Sequence, residues 1–246
     1  MLPLAVKTAR VLSNSINTQG RSRKIFQLGT FNVRGLTKEV KQNQLSADMN
    51  KYGLDVACIQ ETKMKILLNK EVNRNQLICT ESVSGHYGLG FMVSSKWKDH
   101  IYRFWRVNDR LSVLQLKTDQ SKEKPTEKYS SALKETNNPV LKKSAVDHMV
   151  NIINVYAPTS EKVEKDSKEV ENLYSEINKL MDNFRKMKSS ITFVAGDFNA
   201  KVGRQMNEET CVGKHSKGDR NQSGQLLTDF CERSELYLSN TSFHGK

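Results

Sequence analysis

A chain of 246 residues has room for one large domain with its own core, and 37% hydrophobic against 27% charged residues excludes a wholly disordered polymer. No apolar run approaches the length of a membrane helix, because even IINVYA and ITFVAG are short and bounded by polar residues. With 39 Lys and Arg against 27 Asp and Glu the formal charge is +12, a surplus that attracts polyanions such as nucleic acid, although lysines that merely solvate the surface account for it equally well.

The first 24 residues contain no acid and carry Lys7, Arg10, Arg21, Arg23 and Lys24 among small and apolar residues. They read as a disordered basic leader, with a mitochondrial transit peptide as the minority alternative. IFQLGTFNV then alternates as a strand ending near Asn32. Thr37 is placed to cap a helix running to about Tyr52, with Val40, Leu45, Met49 and Tyr52 at near-helical spacing and Gly53 as its stop. LDVACIQE is nearly all apolar, as suits a strand buried on both faces, and ends at Glu61.

YGLGFMVSS, IYRFWRV and LSVLQLK read as further short strands, the last two joined by a turn at NDR. Residues 118–148 are polar, mixed in charge and hold two prolines, which predicts an exposed insertion. MVNIINVYAP restores the strand pattern until Pro158. Val170, Leu173, Tyr174, Ile177, Leu180, Met181, Phe184 and Met187 then form a helical stripe that reads as core packing. ITFVAGDF is the next buried strand, QLLTDFCERSEL a helix facing inward through Leu226, Leu227, Phe230 and Cys231, and LYLSNTSF a last strand. Strands and helices in this order predict a single α/β domain over residues 25–246, with no internal repeat. The four widely spaced cysteines, Cys58, Cys79, Cys211 and Cys231, read as reduced thiols of an intracellular protein, nuclear or cytoplasmic.

Three of the apolar strands finish in polar groups: Asn32, Glu61, and the pair Asp197 and Asn199. Strands of one sheet system bring their ends together, and side chains two apart on a strand face the same way, so all four groups are expected at one mouth. Two carboxylates with amides beside them form an oxygen-rich nest for a hard divalent ion such as Mg²⁺, and the His or Cys clusters that softer metals favour are missing from these motifs. Taken singly, Asp-Phe-Asn is also common turn chemistry and Asn32 a turn residue before Gly35; it is their joint occurrence that argues for a site.

TFNVRG, DVACIQET, NVYAP and VAGDFNAKVG, in this order, resemble the motifs of the endonuclease/exonuclease/phosphatase superfamily. More narrowly, GTFNVRGLT, GDFNAKVG and DRNQSGQLLTDFCERSELYLSNTSF resemble the endonuclease domain of RTE-type non-LTR retrotransposons and the craniofacial development protein 2-like sequences related to them. The resemblance covers residues 25–243 apart from the polar insertion. It implies a four-layered α/β sandwich, DNase I-like, and Mg²⁺-dependent hydrolysis of DNA phosphodiesters, with Mn²⁺ as an alternative cofactor. Carried onto the matching positions, Glu61 is the main metal ligand with Asn32 beside it, and Asp197 orients or deprotonates the attacking water. Asn199 holds a phosphate oxygen or the nucleophile, and Tyr156 contacts the scissile phosphate, although on pattern alone Tyr156 is equally a strand aromatic. Lys63 is expected to pair with the acids. The resemblance also implies a terminal Asp and an Asp-His pair, which the residues after Asp197 do not contain, and His244 matches no motif position. The expectation is therefore a fold incomplete at its C-terminus, and two other readings stay open: a non-catalytic nucleic-acid-binding remnant, and a phosphoesterase of the same superfamily acting on small molecules. The sequence predicts neither a protein partner nor a nucleic-acid-contacting surface.

Overall fold

β3 (Val56–Gln60) is buried at every residue, and its alternating side chains serve two cores: Ala57 and Ile59 face one cluster, Val56 and Cys58 another. Such a strand needs a layer on either side, and the architecture supplies both. The computed structural model describes residues 7–11, 26–82, 85–118, 149–187, 190–206 and 208–243. One sheet has six strands in the order β1 (Lys7–Val11), β2 (Phe26–Asn32), β3, β6 (Leu89–Val93), β5 (Asn75–Cys79) and β4 (Leu68–Val72). The other has four, in the order β10 (Ser190–Asp197), β9 (Met149–Tyr156), β8 (Leu111–Lys117) and β7 (Ile101–Arg106).

The sheets pack face to face through Leu28, Val56, Cys58, Phe91 and Val93 on one side and Leu114, Leu116, Val150 and Ile152 on the other. Helix α1 (Glu39–Lys51) covers the outer face of the six-stranded sheet through Leu45 and Met49. Outside the four-stranded sheet lie the short α2 (Ser160–Lys165), α3 (Lys168–Arg185) and α4 (Gln222–Arg233), whose apolar faces join Val113, Ile153 and Val155 in one core. The result is the four-layered α/β sandwich that the family resemblance implies. On α3, Val170, Leu173, Tyr174, Ile177, Met181 and Phe184 are buried as the helical spacing predicts. Among the described residues no helix is long and apolar enough to cross a membrane.

A polar bridge joins the two sheets inside their shared core. Asn154, fully buried on β9, accepts Gln60 Nε2 at 2.7 Å and donates from Nδ2 to the carbonyls of Ile59 at 3.0 Å and Gly90 at 2.9 Å. Every polar group of that side chain is thus paired across the layer boundary, as burial demands.

Several expectations are corrected. Within the leader expected to be disordered, Lys7–Val11 pairs antiparallel with β2. Helix α1 begins after Lys38 with no side-chain cap from Thr37. Its buried face carries Gln42 and Ser46 beside Leu45 and Met49, while Val40 is 76% exposed. Gln42 reaches the Leu36 carbonyl and Ser46 the Val72 carbonyl, so polar residues sit inward by hydrogen bonding to backbone. The hairpin of β4 and β5 went unread because its two-residue turn uses Asn73 and Arg74, both at positive φ, instead of a glycine. LYLSNTSF is not a strand: only Leu238 bridges, to Val212, and Thr241 turns the chain by accepting Gly213 N–H at 2.6 Å. The core of the insertion expected at 118–148 lies outside the described residues, as does His244.

β10 is the largest correction. It was expected to be buried, yet all its residues are exposed or half-exposed, whereas β9, paired with it residue for residue in parallel, is buried throughout. The cause is position: β10 ends the four-stranded order, and among the described residues nothing hydrogen-bonds along its far side.

The loop that follows β10 is fastened to α4 by Glu232, whose carboxylate accepts Thr210 N–H at 2.7 Å, Cys211 N–H at 2.8 Å and the Thr210 hydroxyl at 2.9 Å. The Cys211 and Thr210 backbone N–H groups hold its pKa down at about 2, below an ordinary 4.5. A carboxyl depressed on folding contributes stability that is present above its unfolded pKa and lost as the pH falls through its folded one. Glu232→Gln is therefore expected to flatten the fall of the thermal midpoint between pH 4.5 and about 2. Superimposable midpoint-versus-pH curves for the two proteins would refute this.

Candidate active site at the strand ends

Two parallel strand pairs aim their C-terminal ends at one place. In the six-stranded sheet Asn32 of β2 lies opposite Gln60 of β3; in the four-stranded sheet Tyr156 of β9 lies opposite Asp197 of β10. Because the sheets are stacked, both ends open at a common mouth, where Asn32 Nδ2 donates to Glu61 Oε1 at 2.7 Å and to Asp197 Oδ2 at 3.0 Å. Tyr156 donates its hydroxyl to the same Glu61 Oε1 at 2.9 Å. Lys63 Nζ lies 3.9 Å from Glu61 Oε2. Asn32 and Asp197, 165 positions apart, thus meet in a single hydrogen bond.

Local backbone conformation sets these directions. Glu61, Lys63 and Asn199 all have positive φ, at 55°, 54° and 47°, which costs a side-chain-bearing residue about 1–3 kcal/mol each. The surroundings hold them there: Gly35 N–H donates to the Glu61 carbonyl at 2.7 Å, Thr62 N–H to Gly88 at 3.0 Å, and Lys63 N–H to Tyr87 at 2.9 Å. Gly196, just before Asp197, has φ of +150°, and a Cβ there would lie 2.0 Å from the Val155 carbonyl oxygen of β9. Only glycine lets β10 run this close to its neighbour while delivering Asp197. Gly196→Ala is expected to lower unfolding free energy by about 3 kcal/mol, read from the urea midpoint; a loss below about 1 kcal/mol would show that the strand simply shifts.

The electrostatics follow from the contacts. Two carboxylates share one neutral donor, with a lysine on the outer oxygen of Glu61, so negative charge is concentrated at the mouth. Burial, then the hydrogen bond to Glu61, raises the Tyr156 phenol above its ordinary range, and it remains a donor at neutral pH. Asp197 Oδ1 accepts Asn199 N–H at 3.1 Å, which fixes the second oxygen of that carboxylate. Among the described residues no three or more His, Cys, Asp or Glu side chains gather as a metal cage. What is present, two carboxylates and an amide, suits a hard cation that keeps several of its own waters, as Mg²⁺ does, and not zinc. To act as a ligand Asn32 would present Oδ1, which here accepts only a long bond of 3.3 Å from Arg34 N–H.

Of the residues expected from the sequence, Asn32, Glu61, Tyr156, Asp197 and Lys63 are brought together. Asn199 is placed differently. The strand stops at Asp197, and the left-handed turn at Asn199 directs its Nδ2 to the Ala157 carbonyl at 2.8 Å, while its own carbonyl accepts the Ser160 hydroxyl at 2.7 Å. Strand alternation therefore does not govern Asn199. Two neighbours escaped notice: Tyr87, whose ring centroid is 6.0 Å from that of Tyr156, and Arg110, whose guanidinium lies 5.0 Å from the Tyr87 ring. Arg110 lies in the turn at NDR, and Tyr87 opens YGLGFMVSS, which reads as a strand although the strand starts only at Leu89.

No family model matches the chain. Over 221 residues, 89% of its length, it is 25% identical to craniofacial development protein 2 of Tragulus javanicus and equally to that of Bos taurus. It spans about a third of those relatives, 32% and 31%. Among solved structures, the AP endonuclease LMAP from Leishmania major superposes with a TM-score of 0.55 at 15% identity, over 93% of this chain and 72% of that one. The chain thus shares the α/β sandwich fold of that AP endonuclease and is similar in sequence to part of craniofacial development protein 2.

Proposed function

We propose that the chain is a Mg²⁺-dependent DNA endonuclease domain of the retroelement type, hydrolysing phosphodiester bonds at the mouth between the sheets. The observation that carries this reading is the Asn32 amide joining Glu61 to Asp197, with Tyr156 on Glu61, at strand ends drawn from both sheets. The superposable LMAP is an AP endonuclease, and a formal charge of +12 favours a polyanionic substrate over a small ester.

Glu61, with Asn32 beside it, would hold the ion. A bound Mg²⁺ supplies charge that offsets the negative charge growing on the phosphate. Asp197, anchored by two hydrogen bonds, would accept a proton from the attacking water. Tyr156, protonated at neutral pH, would donate to a phosphate oxygen in exchange for its bond to Glu61. Asn199 serves by holding the loop after Asp197; the second N–H of its amide would donate to a phosphate oxygen, and its Oδ1 would accept from the attacking water.

Purified chain incubated with supercoiled plasmid tests this: nicking is expected with Mg²⁺ or Mn²⁺ and none in EDTA. Nicking that persists in EDTA would overturn the metal-dependent reading. The +12 charge also supports a second reading, a nucleic-acid-binding remnant without hydrolysis. Binding that weakens steeply with salt but ignores Mg²⁺, with no nicking, would favour it.

A further inference from the structure

The geometry points to Arg110 as a positioning residue that sets Tyr156, and through it the hydroxyl donated to Glu61; this rests on the phosphodiesterase reading of the same site. Arg110 grips Tyr156 by both of its backbone groups. The Arg110 carbonyl accepts Tyr156 N–H at 2.9 Å, and its Nη1 donates to the Tyr156 carbonyl at 3.1 Å. The same guanidinium lies 5.7 Å from the Tyr156 ring centroid and 5.0 Å from that of Tyr87, so one planar cation fixes the ring as well as the backbone.

Arg110 is itself held from outside the site. Its side chain is only 12% exposed, and its Nε donates to Glu169 Oε1 at 2.7 Å. Its N–H donates to Asn108 Oδ1 at 2.8 Å, and Asn108 Nδ2 donates to Glu176 Oε2 at 2.6 Å. Glu169 and Glu176, seven residues apart, stand on one face of α3 two turns from each other. Helix α3 therefore clamps the β7–β8 turn, the turn clamps the end of β9, and the end of β9 presents the phenol. Arg110 touches neither Glu61 nor Asp197 in any of these contacts, so its effect on the reaction passes through Tyr156. Lysine cannot replace it, having one point charge where the planar fork makes a carboxylate bond, a carbonyl bond and two ring contacts.

The test is a double-mutant cycle on plasmid nicking with Arg110→Met, Tyr156→Phe and the pair. Arg110→Met is expected to lower kcat on the order of 10²-fold with KM within about two-fold, since misplacement near 1 Å costs that much. In the Tyr156→Phe background the same change is expected to cost less than about two-fold. Additive effects, or a change confined to KM, would overturn the proposal, because a merely structural clamp or a direct DNA contact gives those results. Arg110→Lys is expected to recover little of the lost kcat; full recovery counts against it. Glu169→Gln, at a half-exposed position that folding tolerates, is expected to lower kcat by less than Arg110→Met, and no change would count against the relay from α3.

A second readout needs no activity. The Tyr156 ¹³Cζ resonance, assigned by its loss in Tyr156→Phe, is expected to shift in Arg110→Met toward its position in Glu61→Ala. A resonance indifferent to Arg110→Met overturns the positioning role even if the domain proves inactive. Conversely, a shifted resonance in a protein that does not nick upholds the positioning role and rejects the phosphodiesterase reading.

Discussion

Asp197→Asn is expected to reduce Mg²⁺-dependent plasmid nicking on the order of 10² to 10⁴-fold, the range for removing a positioned proton acceptor. Asp197 uses both oxygens, Oδ2 for the Asn32 amide and Oδ1 for Asn199 N–H. An amide in its place turns one of these acceptors into a donor facing another donor, and removes the charge that makes the group a base. Glu61→Gln is expected to fall as far by another route, since it loses the anionic oxygen that would face the ion while its remaining carbonyl still accepts Tyr156 or Asn32. Single-turnover nicking at saturating enzyme separates these losses from weaker DNA binding, and salt-dependent binding itself is expected to change less than about three-fold, because one charge in the mouth adds little to a polyanion contact. Either variant retaining more than a tenth of the rate would remove that residue from the chemistry.

Asn154→Leu is expected to destabilise the fold by about 3 kcal/mol, although leucine is apolar and close in size. The substitution strips the partners from Gln60 Nε2 and from the Ile59 and Gly90 carbonyls in the core between the sheets. A buried group left unpaired costs about 1–3 kcal/mol, so apolar gain does not offset the loss. Asn151 provides the comparison: it is equally buried, on the opposite face of β9, and pairs with Gln115 at 2.7 Å and with Thr192 at 3.3 Å. Asn151→Leu is expected to cost about 1–2 kcal/mol, since it leaves only the buried Gln115 amide without its acceptor, against three groups at Asn154. Urea midpoints for the two variants, with unchanged slopes, decide the matter; equal losses would mean that bridging the sheets has no special weight. Since Asn154 stands two residues before Tyr156, the bridge also keeps the site-bearing end of β9 in register with β3.

How far each part was legible follows from the range of the interaction behind it. Most of the buried face of helix α3 was readable because its stripe is a local periodicity, although Leu180 and Met187 are only partly buried, and β3 because burial on both faces leaves a continuous apolar run. The strand end at Asn32 was readable for the same local reason, whereas the pattern ran one step past the end at Asp197 and carried Asn199 with it. β4 and β5 were not, since their turn uses positive-φ residues that carry ordinary side chains. The orientation of Asn199 was misjudged because alternation holds only while the chain stays extended, and whether it does depends on a hydrogen bond to Ala157, 42 positions away.

By itself the amino-acid order determined the alternation of strands and helices, the layered α/β class and the acids and amides that end the strands, since these rest on side-chain period and turn chemistry within a few residues. Only the tertiary structure decided that β10 lies at an edge, that one Asn32 amide joins Glu61 to Asp197, that Asn154 ties the sheets together, and that Arg110 grips Tyr156. Those facts belong to pairs far apart along the chain, whose partners are chosen by packing, and no local pattern records them.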